Sequence, residues 1–146
     1  MAIYITGDIH GKPERLSNKR LKLFGLELNN WDIVIVCGDF GILWNENDKY
    51  WLNWLAEKPF TTLFVDGNHE NYDLLYSYPV ENLFGGKVHK IKDNIFHLMR
   101  GEVFNIDGLT FLLLVEQLRP IKLGVSSIFH GSRRKISAWQ NLIMLP

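Results

Sequence analysis

The 146-residue sequence holds a single cysteine, Cys37, which excludes an internal disulfide framework and a cysteine-rich zinc site. It has no excess of either charge, since 16 Lys and Arg stand against 16 Asp and Glu. No overall field therefore favours nucleic acid or an anionic membrane surface. No apolar run reaches membrane-spanning length, and the N-terminus lacks a basic region followed by an apolar signal core. Internal repeats, low-complexity tracts and linkers are absent as well. These absences predict a cytoplasmic protein with no membrane partner. What the chain does have is apolar and aromatic side chains, 47% and 13% of residues, enough for one globular core.

Short β-branched runs punctuate the first half. Ala2-Ile3-Tyr4-Ile5 reads as a buried strand and runs into Gly7-Asp8-Ile9-His10-Gly11. In an extended or turning backbone, residues two apart point the same way, so Asp8 and His10 are able to converge. A hard oxygen donor beside a nitrogen donor suits a divalent first-row metal. Pro13 to Leu23 predicts a short helix of modest amphipathicity ended near Gly25. Ile33-Val34-Ile35-Val36 is a second strand, followed by Cys37-Gly38-Asp39-Phe40-Gly41. Asn45-Glu46-Asn47-Asp48 offers a polar helix start, and Tyr50, Trp51, Trp54 and Leu55 recur at helical spacing until Pro59. That aromatic stripe is read as core packing. Phe60 to Val65 is the third strand, ending in Asp66-Gly67-Asn68-His69-Glu70.

Asp39 follows Asp8 by 31 residues and Asn68 follows Asp39 by 29, the length of a β-α-β unit. Strands and helices alternating at this period predict a mainly parallel sheet with right-handed crossovers. Loops at the carboxyl ends of such strands lie side by side, so Asp8, His10, Asp39, Asn68 and His69 are expected at one edge. Asn71 to Tyr78 predicts a short helix ending before Pro79. Beyond Lys87 the pattern turns to short strands, with Val103 to Ile106 and Leu109 to Val115 joined by an Asp107-Gly108 hairpin turn that adds antiparallel members to the sheet. His89 and His97 in this region are read as satisfied surface or core histidines.

Together, G-D-I-H-G (7–11), G-D-F-G (38–41) and G-N-H-E (67–70) resemble the calcineurin-like metallophosphoesterase superfamily, with a likeness to small bacterial and phage-type members. The resemblance extends through about residue 111. It implies an α/β (α+β) fold: a β-sandwich core with flanking helices, the C-terminal half incomplete here. It also implies a hydrolase acting on phosphomonoesters or phosphodiesters through two divalent ions, manganese first, with iron, zinc, nickel and magnesium as alternatives. By resemblance, Asp8 and His10 bind the first metal, Asp39 bridges the two, Asn68 binds the second through its amide oxygen, and His69 is the general acid or stabilises transition-state charge. Gly7, Gly38 and Gly67 let the loops approach the metals, while Glu70 and Asp66 orient the third loop. A small phosphoester is the implied partner, and the balanced charge argues against nucleic acid.

The sequence departs from the family after that point. A fourth-motif histidine and a final Gly-His-x-His are both missing, which leaves the second metal site short of ligands. His130, in Phe129-His130-Gly131-Ser132, has nothing around it that matches. Residues 1–115 are therefore expected to form the N-terminal part of one domain, and 116–146 a non-homologous tail. A shifted reading frame accounts for the tail. Read two bases later, permitted codons for Val115 to Val125 spell G-A-T-S-T-D-K-A-W-R, similar to the family's continuation. The alternative function is a truncated, inactive member that binds a divalent ion at most. Unpaired sheet edges and repulsion between Asp8 and Asp39 are the expected physical consequences.

Overall fold

The computed structural model describes residues 1–44 and 49–113, and the backbone of residues 123–126 and 136–138. The polar helix start at 45–48, the end of the second hairpin strand and His130 lie outside the described residues.

The β-branched runs form the strands expected of them. β1 (Ile3–Thr6), β2 (Ile33–Cys37) and β3 (Thr61–Val65) are parallel neighbours, paired Ile3 with Ile33 and Ile33 with Thr61. The main sheet continues outward from β3 through β6 (Ile95–Leu98), then β5 (Gly86–Lys92) and β4 (Val80–Leu83). β6 is parallel to β3, whereas β5 is antiparallel to β6 and β4 to β5. On the other side, β10 (Ile136–Ala138) lies parallel to β1. The second sheet is the antiparallel set β7 (Val103–Ile106), β8 (Leu109–Leu113) and β9 (Leu123–Ser126).

This corrects one expectation. The Asp107-Gly108 hairpin forms, with φ of 53° and 75° as its turn requires, but it founds a separate sheet. The antiparallel members of the main sheet are β4 and β5 instead. The tail adds one strand to each sheet, since β9 pairs with β8 and β10 lies parallel to β1 on its outer side.

Alternation along β2 shows how the layers assemble. Ile33 and Ile35 point into one buried cluster with Leu63 and Val65 of β3 and Phe104, Ile106, Phe111 and Leu113 of the second sheet. Val34 and Val36 point the other way, into a cluster with Leu21, Leu52, Leu55 and Leu75 from the helices. The first sheet is thus buried on both faces, which is why its central strands read as unbroken apolar runs. The result is a mixed α/β fold of two packed sheets with helices on one outer face.

The helices are short. The segment from Pro13 is broken in two, a 3-10 turn Pro13–Leu16 and α1 (Asn18–Leu23), because Ser17 is extended at φ −70° and ψ 146°. Gly25 closes it at φ 68°. α2 (Tyr50–Ala56) ends three residues before Pro59. Its fully buried positions are Leu52 and Leu55, with Trp51 and Trp54 packed against the core at partial burial and Tyr50 exposed. Only part of the aromatic stripe is therefore core. α3 (Tyr72–Tyr76) is capped by Asn71, whose Oδ1 accepts from Leu74 N at 3.1 Å. No helix among the described residues is long and apolar enough to cross a membrane.

Candidate metal centre

Each of the three polar loops follows the carboxyl end of one of three adjacent parallel strands, so sheet geometry delivers them to one edge. The first two loops are then tied backbone to backbone. Ile9 N and His10 N donate to Asp39 O at 3.2 and 2.9 Å, and Gly11 N donates to Phe40 O at 2.9 Å. The approach is close enough that a Cβ on Gly11 would stand 2.8 Å from Gly41 O. His10 and Asp39 themselves adopt left-handed backbones, φ 44° and 38°, which turn their side chains back over the sheet edge.

The third loop is locked to the second through Asp39. His69 N donates to Asp39 Oδ1 at 3.0 Å, and His69 Nδ1 lies 3.0 Å from Asp39 Oδ2. His10 Nε2 lies 3.9 Å from the same Oδ2 and 3.9 Å from Asp8 Oδ2. The amide nitrogen of Asn68 sits 3.3 and 3.4 Å from the two ring nitrogens of His69. All five predicted ligand and acid-base residues are therefore gathered at one edge. Gly38 turns at φ 90°, and its N–H donates to Val65 O at 3.1 Å.

Donor atoms of His10, Asp39 and His69 lie within 4.8 Å of one another, and His10 and His69 are exposed. Two imidazoles around a carboxylate, with Asp8 beside them, is a donor set suited to a divalent first-row ion. His69 enters this cluster, although resemblance gave it a proton-transfer role. Burial pushes the Asp39 carboxyl up, but hydrogen bonds from His69 and the neighbouring His69 and His10 imidazoles more than offset it and hold the group below its ordinary value. Asp39 thus meets two imidazoles in place of the repulsion expected from Asp8.

Glu70 orients the second loop rather than facing the donors. Its carboxylate accepts from Phe40 N at 2.6 Å and from Gly41 N at 3.2 and 3.3 Å. Burial pushes its carboxyl up to about 7, against the pull of those two N–H groups and with the help of Asp66 and Asp39. Gly7 leads from β1 into the first loop. Behind the site runs a polar chain of which sequence reasoning named Asp66, His89 and His97 but not their linkage. His89 and His97 are core histidines, 3% and 1% exposed, with their Nδ1 atoms 3.0 Å apart. His97 Nε2 is 3.0 Å from Oδ1 of the fully buried Asp66. Arg100 pairs with Asp66 Oδ2 and donates to the Tyr72 hydroxyl at 2.7 Å, and that hydroxyl donates to Gly67 O. Tyr72 and Arg100 carried no motif signal. The one available clue was a charged Asp66 directly after an apolar strand, which needs a buried partner.

Comparison with known proteins gives the same direction as the geometry. The lariat debranching enzyme of Drosophila melanogaster is 27% identical over 148 residues, covering 90% of this chain and 24% of that protein. The chain therefore spans about a quarter of that relative's length. No solved structure matches significantly. The family described as calcineurin-like phosphoesterase matches residues 1–142, nearly the whole sequence. With the three loops of that family's motifs gathered around Asp39, the chain belongs to the calcineurin-like phosphoesterases.

Proposed function

We propose that this protein is a metal-dependent phosphoesterase that hydrolyses small phosphomonoesters or phosphodiesters. The observation that carries the reading is the convergence of His10, Asp39 and His69 donors within 4.8 Å, at the edge where three parallel strands end. Asp8 and His10 would hold one divalent ion, Asp39 would bridge to a second, and Asn68 would add an uncharged oxygen. Manganese is the first candidate, as the family resemblance implies. When bound, such ions supply positive charge to the phosphoryl oxygens and make a water nucleophilic at neutral pH.

The chain's own groups do the rest. Asp39 and His10 are held in a fixed relation to each other, because the two loops that carry them are hydrogen-bonded together. His69 carries the proton for the leaving oxygen as the P–O ester bond breaks, and its ring is oriented by Asp39 Oδ2. Glu70 keeps the second loop rigid. Manganese-dependent turnover of p-nitrophenyl phosphate and bis(p-nitrophenyl) phosphate tests the reading. Turnover should fall at least about 100-fold in Asp39→Asn, as expected where a charge-bearing group is lost from the reacting centre. No turnover by the wild type, or turnover that survives Asp39→Asn, overturns it.

A second reading rests on a specific observation: the sequence contains no Gly-His-x-His, the motif that completes both metal shells in the family. On this reading the chain binds one divalent ion and does not turn over, and residues 116–146 are the product of a shifted frame. Manganese titration decides between the two by stoichiometry, one ion per chain against two. The coding DNA decides the frame: a single-base change must restore a longer frame ending in Gly-His-x-His.

A further inference from the structure

We propose that Tyr72 and Arg100 are positioning residues for the third loop, fixing the peptide that presents Asn68 and His69 to the metals. The inference rests on the metal-centre reading above and adds to it two residues outside every motif. Three separate elements meet in the arrangement. Asp66 directly follows β3, Tyr72 opens α3, and Arg100 lies just beyond β6. Asp66 is fully buried, and Arg100 is its partner together with His97.

Hydrogen-bond direction makes the arrangement a clamp with a single sense. The guanidinium has only donors, so the Tyr72 oxygen must accept from Arg100, and its one proton is then committed to Gly67 O. Arg100 Nη2 donates to the Tyr72 oxygen and forms an ion pair with Asp66 Oδ2. At the far end, the Nδ1 atoms of His89 and His97 lie 3.0 Å apart. The carbonyl of Gly67 belongs to the peptide whose nitrogen is that of Asn68. Holding that carbonyl fixes the rotation of the peptide plane, and with it the direction in which Asn68 leaves the backbone. Gly67 is also packed against Asp39, which gives its peptide a second restraint. The bond from Arg100 to Tyr72 is charge-assisted, which strengthens the grip.

Partners that orient metal ligands in this way usually contribute 10- to 100-fold in metal affinity when removed. Two measurements on Tyr72→Phe, which keeps the ring and removes only the hydroxyl, test the proposal. In the metal-free protein, 15N–1H spectra should show the Asn68 and His69 amides displaced while those of Ile33–Cys37 stay in place. In a manganese titration, the dissociation constant should rise about tenfold or more. Arg100→Ala should do the same, and Arg100→Lys, which retains several donors, should recover part of the loss. Unmoved Asn68 and His69 amides with unchanged manganese affinity overturn the proposal while leaving the metal centre intact. Amide shifts spread evenly over the sheet make the two residues merely structural, which also overturns it. A wild type that binds no manganese overturns the centre, and with it this refinement.

Discussion

Gly67 and Asp39 are packed so closely that a Cβ on Gly67 would stand 2.0 Å from Asp39 Oδ1 and 2.3 Å from Asp39 N. One of these atoms is backbone, so the clash cannot be relieved by a side-chain rotation alone. Gly67→Ala should therefore push the second and third loops apart. The expected outcome is loss of manganese binding by 100-fold or more in isothermal titration, with a folded circular dichroism spectrum retained. Unchanged binding in this variant would mean that the loops need not touch to form the site.

Glu70 holds the second loop through Phe40 N and Gly41 N. Glu70→Ala leaves those two buried donors without an acceptor, at a cost of about 1–3 kcal/mol each. Denaturant midpoints should record the loss, and Glu70→Gln should recover part of it, because one amide oxygen remains to accept. Equal stabilities for all three proteins would remove Glu70 from the loop's support.

His69 is assigned to the leaving oxygen, and the nature of that oxygen gives a test. A p-nitrophenolate departs readily without a proton, whereas an alkoxide does not. His69→Ala should thus lower kcat by about 10²–10⁴ on an alkyl phosphate and much less on p-nitrophenyl phosphate. Equal losses on both substrates would favour a role in holding metal, which the proximity of His69 to His10 and Asp39 also allows.

His89 supplies a pH test away from the donor cluster. Burial and the facing His97 imidazole push its pKa down, with Asp66 pulling the other way. The folded state therefore releases a proton that the unfolded state keeps below its ordinary value of about 6.5. Stability is full above that value and is lost as pH falls toward the depressed folded pKa. Tyr76 stacks on His89, with ring centroids 5.5 Å apart. Melting temperatures of wild type and His89→Gln should differ by a margin that shrinks between pH 7 and 5. The subtraction cancels groups common to both, including Glu70, whose raised pKa of about 7 acts in the reverse direction. A margin independent of pH would show that His89 is not neutral by virtue of the fold.

Gly86 records the contact between the two sheets. A Cβ there would meet the Phe104 ring at 2.6 Å, and Phe104 is fully buried. Gly86→Ala should cost about 1–3 kcal/mol in denaturant unfolding, the usual penalty of overpacking a core. The double variant Gly86→Ala with Phe104→Leu should recover part of that cost.

The legible parts of the sequence were those decided by local chemistry. Ile33 to Val36 announces a strand by β-branching alone, and a glycine-flanked carboxylate after it announces a loop at the sheet's carboxyl edge. Asp107-Gly108 announces its own turn, but turn geometry does not choose which sheet the hairpin joins. That choice comes from Phe104, Ile106, Phe111 and Leu113 packing across to Leu63 and Val65. Ser17 breaks a segment whose apolar spacing read as continuous. The Asp66, His97, Arg100 and Tyr72 chain was invisible for a topological reason. It exists because β6 is placed beside β3, ahead of β4 and β5, and nothing local to His97 or Arg100 states that order.

The pairing of Ile3 with Ile136 has a kinetic consequence. The strand that delivers Asp8 and His10 reaches its full complement of neighbours only after a closure spanning almost the whole chain. Entropy disfavours such closures until other contacts have shortened the effective loop. The loop that carries Asp8 and His10 is accordingly anchored late in folding on its outer side. During synthesis β1 waits, paired on one flank only, until residues 136–138 emerge. In that interval its bare flank is the part of the nascent chain most open to pairing with another polypeptide.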